Sequence, residues 1–362
     1  MTLSRLKQLR MAMRRHKADV FWLPNGENSG QPATGWLSGF SGSDSHLLIT
    51  KNKATLLTDG RYLIEAEKEA AGFEIVDIAK QSFGDVLGKI LPKGGGAVML
   101  DGAAVSYAAV EKVKAKFPGL KIVNENGVLT ELRRVKDAAE LKFLKKAAAI
   151  SCAAFKKFLP HVRAGATEKS LAHLLENLLF ECGADGIAFP PIIASGRNGA
   201  AAHAVPTGKK LQRGELVVID FGATYRGYVS DMTRTVAVGK VSPRLVRMYE
   251  AVRAAQDAGI RAARAGISAH ALDAVCRESL EKSGFAKHFT HATGHGIGMA
   301  VHELPVVSPK QTDALQVGEV ITCEPGVYIK GVGGVRIEDS LAITKNGNIN
   351  LTARASKKFI ML

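Results

Sequence analysis

The first third of the chain alternates short apolar runs with helical stretches. Val20-Phe21-Trp22-Leu23 reads as a strand closed by Pro24-Asn25-Gly26. Residues 46–50 and 54–58 read as the two strands of a hairpin. Beyond them the pattern predicts a helix over 61–71, an extended run over 74–78 and a helix over 83–91. A strand at 97–100, a helix at 107–116 and a last strand at 120–123 follow. Strand–helix alternation of this kind predicts an α/β layer domain. It ends near Asn124-Glu125-Asn126-Gly127, which sets a first domain at residues 1–128.

The rest of the chain, 129–362, has another texture. Residues 136–159 form one long Ala-rich helical pattern with Lys on its exposed face, stopped by Pro160. Thr167 opens a second helix that ends at Cys182-Gly183, and two more run over 242–265 and 268–283. Extended segments cover 215–223, 227–238, 319–323 and 335–343, some with the alternation of half-buried antiparallel strands. This predicts an α+β domain, a curved antiparallel sheet backed by helices. No repeat at a 20–50-residue period is present, which excludes solenoids and propellers.

The length of 362 residues suits two domains, and 46% apolar with 23% charged residues excludes a mostly disordered chain. The net charge is +15, from 49 Lys and Arg against 34 Asp and Glu. The basic residues are scattered, with no long block and little aromatic interleaving. That reads as solvated surface, so no specific nucleic-acid partner is expected. The four cysteines, Cys152, Cys182, Cys276 and Cys323, form no CxxC pair and read as reduced thiols of a cytoplasmic protein. The basic, amphipathic stretch from Met1 to His16 lacks the apolar core of a secretory signal, and no 18-residue apolar run exists, so no membrane association is expected.

Five segments of the second domain place acids or a histidine at the ends of apolar strands. They centre on Asp220 (Val217-Val218-Ile219-Asp220-Phe221-Gly222), Asp231 (Ser230-Asp231-Met232-Thr233), His295 (Thr293-Gly294-His295-Gly296), Glu324 (Ile321-Thr322-Cys323-Glu324-Pro325-Gly326) and Glu338 (Val335-Arg336-Ile337-Glu338). A carboxylate beside a buried strand is costly unless something pairs with it. One partner is a cation. Four carboxylates with one imidazole suit Mn²⁺, Co²⁺, Zn²⁺ or Fe²⁺, and over-neutralise a single ion, so they suit two. Two such ions acidify a shared water from 15.7 towards about 7. The other partner is arginine: Arg234 and Arg336 lie close enough in sequence to form structural salt bridges with the same acids. His203, in the small-residue loop before the Asp220 strand, and His302, seven residues after His295, flank the set as candidate donors to an oxyanion.

Other motifs fail. His302-Glu303-Leu304-Pro305-Val306 lacks the second histidine of HExxH. Gly39-Phe40-Ser41-Gly42-Ser43 is not GxSxG. Gly94-Gly95-Gly96 has no Lys-Ser/Thr after it, and a histidine interrupts Gly294/Gly296/Gly298.

The five segments resemble, in order, the ligand motifs of the pita-bread metallopeptidases of family M24: aminopeptidase P, prolidase, methionine aminopeptidase and their relatives. The likeness runs over 136–362 and includes the eleven residues from Asp220 to Asp231 and the seven and twenty-nine from His295 to His302 and Glu324. The first domain resembles the N-terminal domain of the creatinase, prolidase and aminopeptidase P branch. Its stretches Trp36-Leu37-Ser38-Gly39-Phe40-Ser41-Gly42-Ser43 and Thr58-Asp59-Gly60-Arg61-Tyr62 are most similar to aminopeptidase P. Methionine aminopeptidases lack such a domain, and creatinases lack the metal ligands.

The resemblance implies an α/β creatinase-like domain followed by a pita-bread catalytic domain. It implies two divalent ions, Mn²⁺ foremost with Co²⁺ or Zn²⁺ as alternatives. Asp220 would hold one ion through both oxygens, Asp231 and Glu338 would bridge, and His295 and Glu324 would complete the second. Glu324 would also handle a proton of the attacking water. His203 and His302 would steady the carbonyl and the tetrahedral intermediate, Arg336 would hold a ligand carboxylate, and Tyr228 would support Asp231. The implied substrates are peptides with proline second, and the implied assembly is a homodimer. Prolidase-type dipeptidases of the resembled family carry an arginine after the His302 segment, to hold the dipeptide carboxylate. This chain has Val306-Val307-Ser308 there, which points to an Xaa-Pro aminopeptidase, with an Xaa-Pro dipeptidase as the alternative and a non-catalytic binding protein as the outsider.

Overall fold

The computed structural model describes residues 2–27, 31–93 and 95–362. Met1 and Gly94, from the N-terminal stretch and the glycine run considered above, lie outside them. The chain divides into two compact units, Met1–Leu132 and Arg133–Leu362. A helix not anticipated from the sequence, Val128–Arg134, contains the division.

The first unit is a six-stranded mixed sheet. Val20–Asn25 pairs antiparallel with Ser45–Thr50, which forms the expected hairpin with Ala54–Thr58. Glu74–Asp77 extends that side in parallel, and Ala97–Leu100 and Lys121–Asn124 extend the other. The first strand does not close at Pro24 but runs through it. Of this first strand, Ala97–Leu100 pairs with Val20 and Phe21 alone, so at Pro24 the strand has a single hydrogen-bonded neighbour and a missing N–H is tolerated. Ser82 and Ser106 cap the helices Phe83–Ile90 and Tyr107–Lys116. Leu87 and Val113 from these helices pack on Val20, Trp22, Leu48 and Val98 of the sheet.

In the second unit four helices begin at the residue types that accept from exposed backbone N–H groups. Asp137 caps Ala138–Phe158, Thr167 caps Glu168–Glu181, Ser242 caps Pro243–Ala262 and Ser268 caps Ala269–Lys282. Ile150, Phe155 and Phe158 of the first of these bury against Val217, Ile219 and Phe221. Each such side chain contributes about 1.5–3 kcal/mol by leaving water.

The strands of this unit form several sheets. Ile192–Ser195, Glu215–Phe221 and Met232–Val238 pair antiparallel. Glu303–Val307, Gly294–Gly296, Val320–Cys323, Asp339–Ile343 and Asn348–Asn350 make a five-stranded antiparallel sheet. Gly326–Ile329 pairs with Gly333–Arg336 as a separate ribbon. The single extended run expected over 335–343 is therefore two strands of two sheets. The break falls at Ile337-Glu338, where the Glu338 N–H leaves both sheets and donates to the Thr233 carbonyl at 3.1 Å. That crossing sets Glu338 between the sheets. Among the described residues no helix is long and apolar enough to cross a membrane.

Candidate metal centre

Asp220 and Asp231 are brought together by one register. On the paired strands Asp220 lies opposite Thr233, and Asp231 is two residues before Thr233, so all three side chains share a face. Between the two strands the chain passes Gly222, where a Cβ would meet the Ser230 carbonyl oxygen at 1.9 Å. The glycine after Asp220-Phe221 is thus required by close backbone approach. The glycines around His295 have the same cause: a Cβ at Gly294 would lie 2.1 Å from the Thr322 oxygen, and one at Gly296 2.1 Å from the Leu304 oxygen. His295 sits on a short strand squeezed between two neighbours.

Thr322 aligns the next pair. Its hydroxyl accepts from the His295 N–H at 3.0 Å and donates to Glu324 Oε1 at 3.0 Å. His295 Nε2 lies 3.1 Å from Glu324 Oε1 and 3.7 Å from Asp231 Oδ2. One ligand atom each from Asp231, His295 and Glu338 lies within 4.8 Å of the others, a spacing that can hold a metal ion.

Arg336 organises the remaining acids. Its Nη2 donates to Asp220 Oδ2 at 2.6 Å, its Nη1 to the Tyr328 hydroxyl at 2.7 Å and its Nε to Thr233 Oγ1 at 3.0 Å. The Thr233 hydroxyl in turn donates to Glu338 Oε2 at 2.7 Å. Arg234 reaches the Thr233 and Glu338 carbonyls through Nη1, but its carboxylate partner is a different one. It is buried with Asp339, 2.6 Å away, a carboxylate that Gln256 also serves. The salt-bridge alternative therefore supplies one guanidinium for Asp220, Asp231, Glu324 and Glu338. Asp220 Oδ1 and Glu338 Oε1 are left buried with no hydrogen-bond partner among the described residues.

The electrostatics follow. Burial, then repulsion from Asp220 and Glu324, drives the Asp231 carboxyl well above its ordinary value. Burial, then Asp231, Glu324 and Asp220, does the same to Glu338. Burial raises Asp220 against the opposing pull of Arg336. Burial alone would lower His295, but the bond to Glu324 and the charges of Glu324 and Asp231 override it and lift it to about 9. Burial would likewise raise Glu324, which His295 instead holds down at about 2. A proton on His295 thus offsets part of the negative charge of the cluster. A divalent cation held by Asp231, His295 and Glu338 would take the place of that proton. Buried hard oxygens around one imidazole fit Mn²⁺, Co²⁺ or Zn²⁺.

The ring of His302 lies 4.3 Å from that of His295, on the exposed side. His203 is exposed, and its charge bears on both His302 and His291. One expected residue goes elsewhere. Tyr228, expected to support Asp231, directs its hydroxyl to Glu140 Oε1 at 3.0 Å, tying the turn before Asp231 to the helix Ala138–Phe158. Its aromatic body packs with Leu144, Val229 and Ile297.

Sequence reasoning missed His291 and Tyr328. His291 Nδ1 sits 2.8 Å from the Ala292 carbonyl oxygen, so Nδ1 carries the proton and Nε2 accepts from the Tyr328 hydroxyl at 2.9 Å. Arg336, Tyr328 and His291 form one hydrogen-bonded chain running from Asp220. His291 stands four residues before His295, and that spacing was the one signal available.

Residues 142–345 match metallopeptidase family M24, and residues 5–135 match the creatinase/prolidase N-terminal domain. The chain is 37% identical over 323 residues to an Xaa-Pro dipeptidase of Pyrococcus horikoshii, covering 89% of this chain and 90% of that one. It superposes on the Xaa-Pro dipeptidase from Bacillus anthracis with a TM-score of 0.94 at 33% identity, covering 100% of both chains. On the X-Pro aminopeptidase from Thermotoga maritima the TM-score is 0.90 at 34% identity, covering 99% of both. With a buried carboxylate–histidine cluster in the second unit and these matches, the chain belongs to metallopeptidase family M24.

Proposed function

We propose that this protein is a dinuclear metallopeptidase that removes the N-terminal residue from peptides with proline in second position. The observation that carries the metal chemistry is the buried set Asp220, Asp231, His295, Glu324 and Glu338, with one guanidinium for four carboxylates. Asp220 is read as a ligand of one ion, Asp231 and Glu338 as bridges, and His295 and Glu324 as completing the second. Two such ions, when bound, polarise a carbonyl and acidify a water at neutral pH. Glu324, kept ionised beside His295, takes and returns a proton. His203 and His302 donate to the carbonyl oxygen as it gains charge. Arg336 keeps one Asp220 oxygen occupied, which leaves the other to face a cation. Mn²⁺ is the expected metal.

The Xaa-Pro class is taken from the relatives named above. The choice of aminopeptidase rests on Val306. It lies directly opposite His295 in the strand register, so its side chain shares the face of that imidazole. An isopropyl group cannot hold the free carboxylate of a dipeptide, and a longer peptide presents none at that point. The names of two relatives favour the second reading, an Xaa-Pro dipeptidase. A panel of Xaa-Pro, Xaa-Pro-Yaa and Met-Ala-Yaa peptides, read by mass with Mn²⁺ and again after chelation, separates these. Release of Xaa from Xaa-Pro-Yaa, lost with the metal, is the expected result. Activity surviving complete metal removal sinks the proposal, and cleavage of the dipeptide alone replaces it with the second reading.

We further infer a homodimer acting in the cytoplasm. A concentration-independent mass near 38.5 kDa in light scattering, at full activity, overturns the dimer.

A further inference from the structure

Glu168 is the first residue of the helix Glu168–Glu181, a position where an acid ordinarily faces water and the helix dipole. Here it is 0% exposed. Its Oε1 accepts from the Ser195 N–H at 2.8 Å, the Ser195 hydroxyl at 2.7 Å and Asn198 Nδ2 at 3.1 Å. Its Oε2 accepts from the Thr207 N–H at 3.1 Å, the Thr207 hydroxyl at 2.6 Å and Asn198 Nδ2 at 3.0 Å. Burying an ionised carboxylate is tolerated only where donors saturate it. These donors do so, and against the opposing effect of burial they hold its pKa below the ordinary value.

The donors come from both ends of one segment. Ser195 ends the strand Ile192–Ser195, which pairs with the strand of Asp220. Thr207 lies twelve residues further on, and His203 stands between them. Backbone bonds from Lys169 N–H to the Thr207 oxygen and from Glu168 N–H to the Lys209 oxygen fix the returning end to the same helix start. On its inner side the segment meets the site directly, since the Ala202 carbonyl accepts from Arg336 Nη1 at 3.2 Å. A twelve-residue excursion tied at its base by one carboxylate beside these two backbone bonds loses most of its freedom.

We propose that Glu168 is a positioning residue of the peptidase: by clamping Ser195 and Thr207 it holds the 195–207 segment, and with it His203, beside the carboxylate–histidine cluster that the Ala202 carbonyl touches through Arg336. This rests on the reading of His203 as a donor to the carbonyl oxygen. Glu168 contacts no member of the proposed ligand set in its hydrogen bonds, so its effect should pass through the segment and leave the metals in place.

The test uses the full-length protein loaded with Mn²⁺, an Xaa-Pro-Yaa peptide, and the variants Glu168→Gln, Thr207→Val, His203→Ala and Glu168→Gln/His203→Ala. Glutamine keeps the volume but turns one acceptor into a donor, so one half of the clamp opens. Misplacing a reacting group in this way lowers kcat on the order of 10–100-fold. KM and bound metal should not change. In the His203→Ala background the same substitution should cost less than about threefold, because residues acting through one another are not additive. An equal loss in both backgrounds, a parallel loss of metal, or a kcat within about twofold of the parent overturns the clamp. Thr207→Val removes one donor and decides the matter if Glu168→Gln does not fold. It should lower kcat about 3–10-fold with His203 present and not without it, and an unchanged kcat refutes the proposal. Failure of the underlying reading shows separately: there His203→Ala alone leaves kcat unchanged.

Discussion

Arg336 donates from Nη2 to Asp220 at 2.6 Å and from Nε to Thr233, which in turn donates to Glu338, so one planar guanidinium sets the spacing of two proposed ligands from opposite sides of the site. Lysine has one ammonium in place of this fork. Arg336→Lys should therefore weaken Mn²⁺ binding by about 10–100-fold, as loss of a partner behind a ligand does. Titration of the apoprotein followed by calorimetry measures this, and unchanged affinity refutes the role.

Glu338→Ala should do more harm than His302→Ala. Glu338 is buried at the break between two sheets with one oxygen waiting for a partner, whereas His302 is exposed and offers one hydrogen bond. The histidine variant should lose about 10²–10³ in kcat with its metals intact. The glutamate variant should lose metal stoichiometry as well as turnover. A Glu338→Ala protein that retains two ions and near-normal rate contradicts the bridging assignment.

Metal removal should make stability fall with rising pH. Asp231 and Glu338 have ordinary values of 3.8 and 4.5, and in the fold both are raised well above these. The folded state then binds their protons more tightly than the unfolded state. Stability is greatest below the ordinary values and is lost as pH climbs through the raised ones. Thermal melts of the chelated protein at pH 5 and pH 8 should show the lower Tm at pH 8, and Mn²⁺ should raise Tm more at pH 8 than at pH 5. The opposite order refutes the placement of these acids.

His46, in the first unit, should make that unit acid-sensitive. Trp22 Nε1 donates to its Nδ1 at 3.3 Å, so the ring is neutral in the fold, and burial followed by the charge of Lys112 lowers it from 6.5 to about 4. The unfolded chain binds the extra proton between those values. Stability therefore falls as pH drops through that window, by about 3 kcal/mol in all. Both tryptophans, Trp22 and Trp36, are buried in this unit, so their fluorescence follows it alone. His46→Gln should flatten the loss between pH 6.5 and pH 4.5, and an unchanged slope counts against it.

Val306→Arg should shift preference towards dipeptides. The position faces the same side as His295 and is 39% exposed, so a guanidinium fits there without being buried. The expected change is a gain in kcat/KM for Xaa-Pro relative to Xaa-Pro-Yaa of about tenfold, the scale of one charged hydrogen bond. No change in the ratio dissociates Val306 from specificity.

Much of this site was legible in the residue pattern. Asp220 after four apolar residues had to sit at the end of a buried strand. Residue-type preferences at caps likewise placed Thr167, Ser242 and Ser268 at helix starts. Which arginine served which acid was not legible. Arg234 and Arg336 both stand beside acids in sequence, yet one is buried on Asp339 and the other on Asp220. The run 335–343 reads as one strand, and only its passage between two sheets sets Glu338 apart. The family resemblance implied Tyr228 as a support of Asp231, while its hydroxyl goes to Glu140, 88 positions earlier. Tyr328, His291 and Glu168 carry no periodic signal, since their bonds join segments 8 to 39 residues apart. Local pattern is set by which face of a strand or helix meets water, and the sequence alone determines that. Hydrogen bonds across distant segments depend on where whole elements come to rest against one another, and only the tertiary structure decides it.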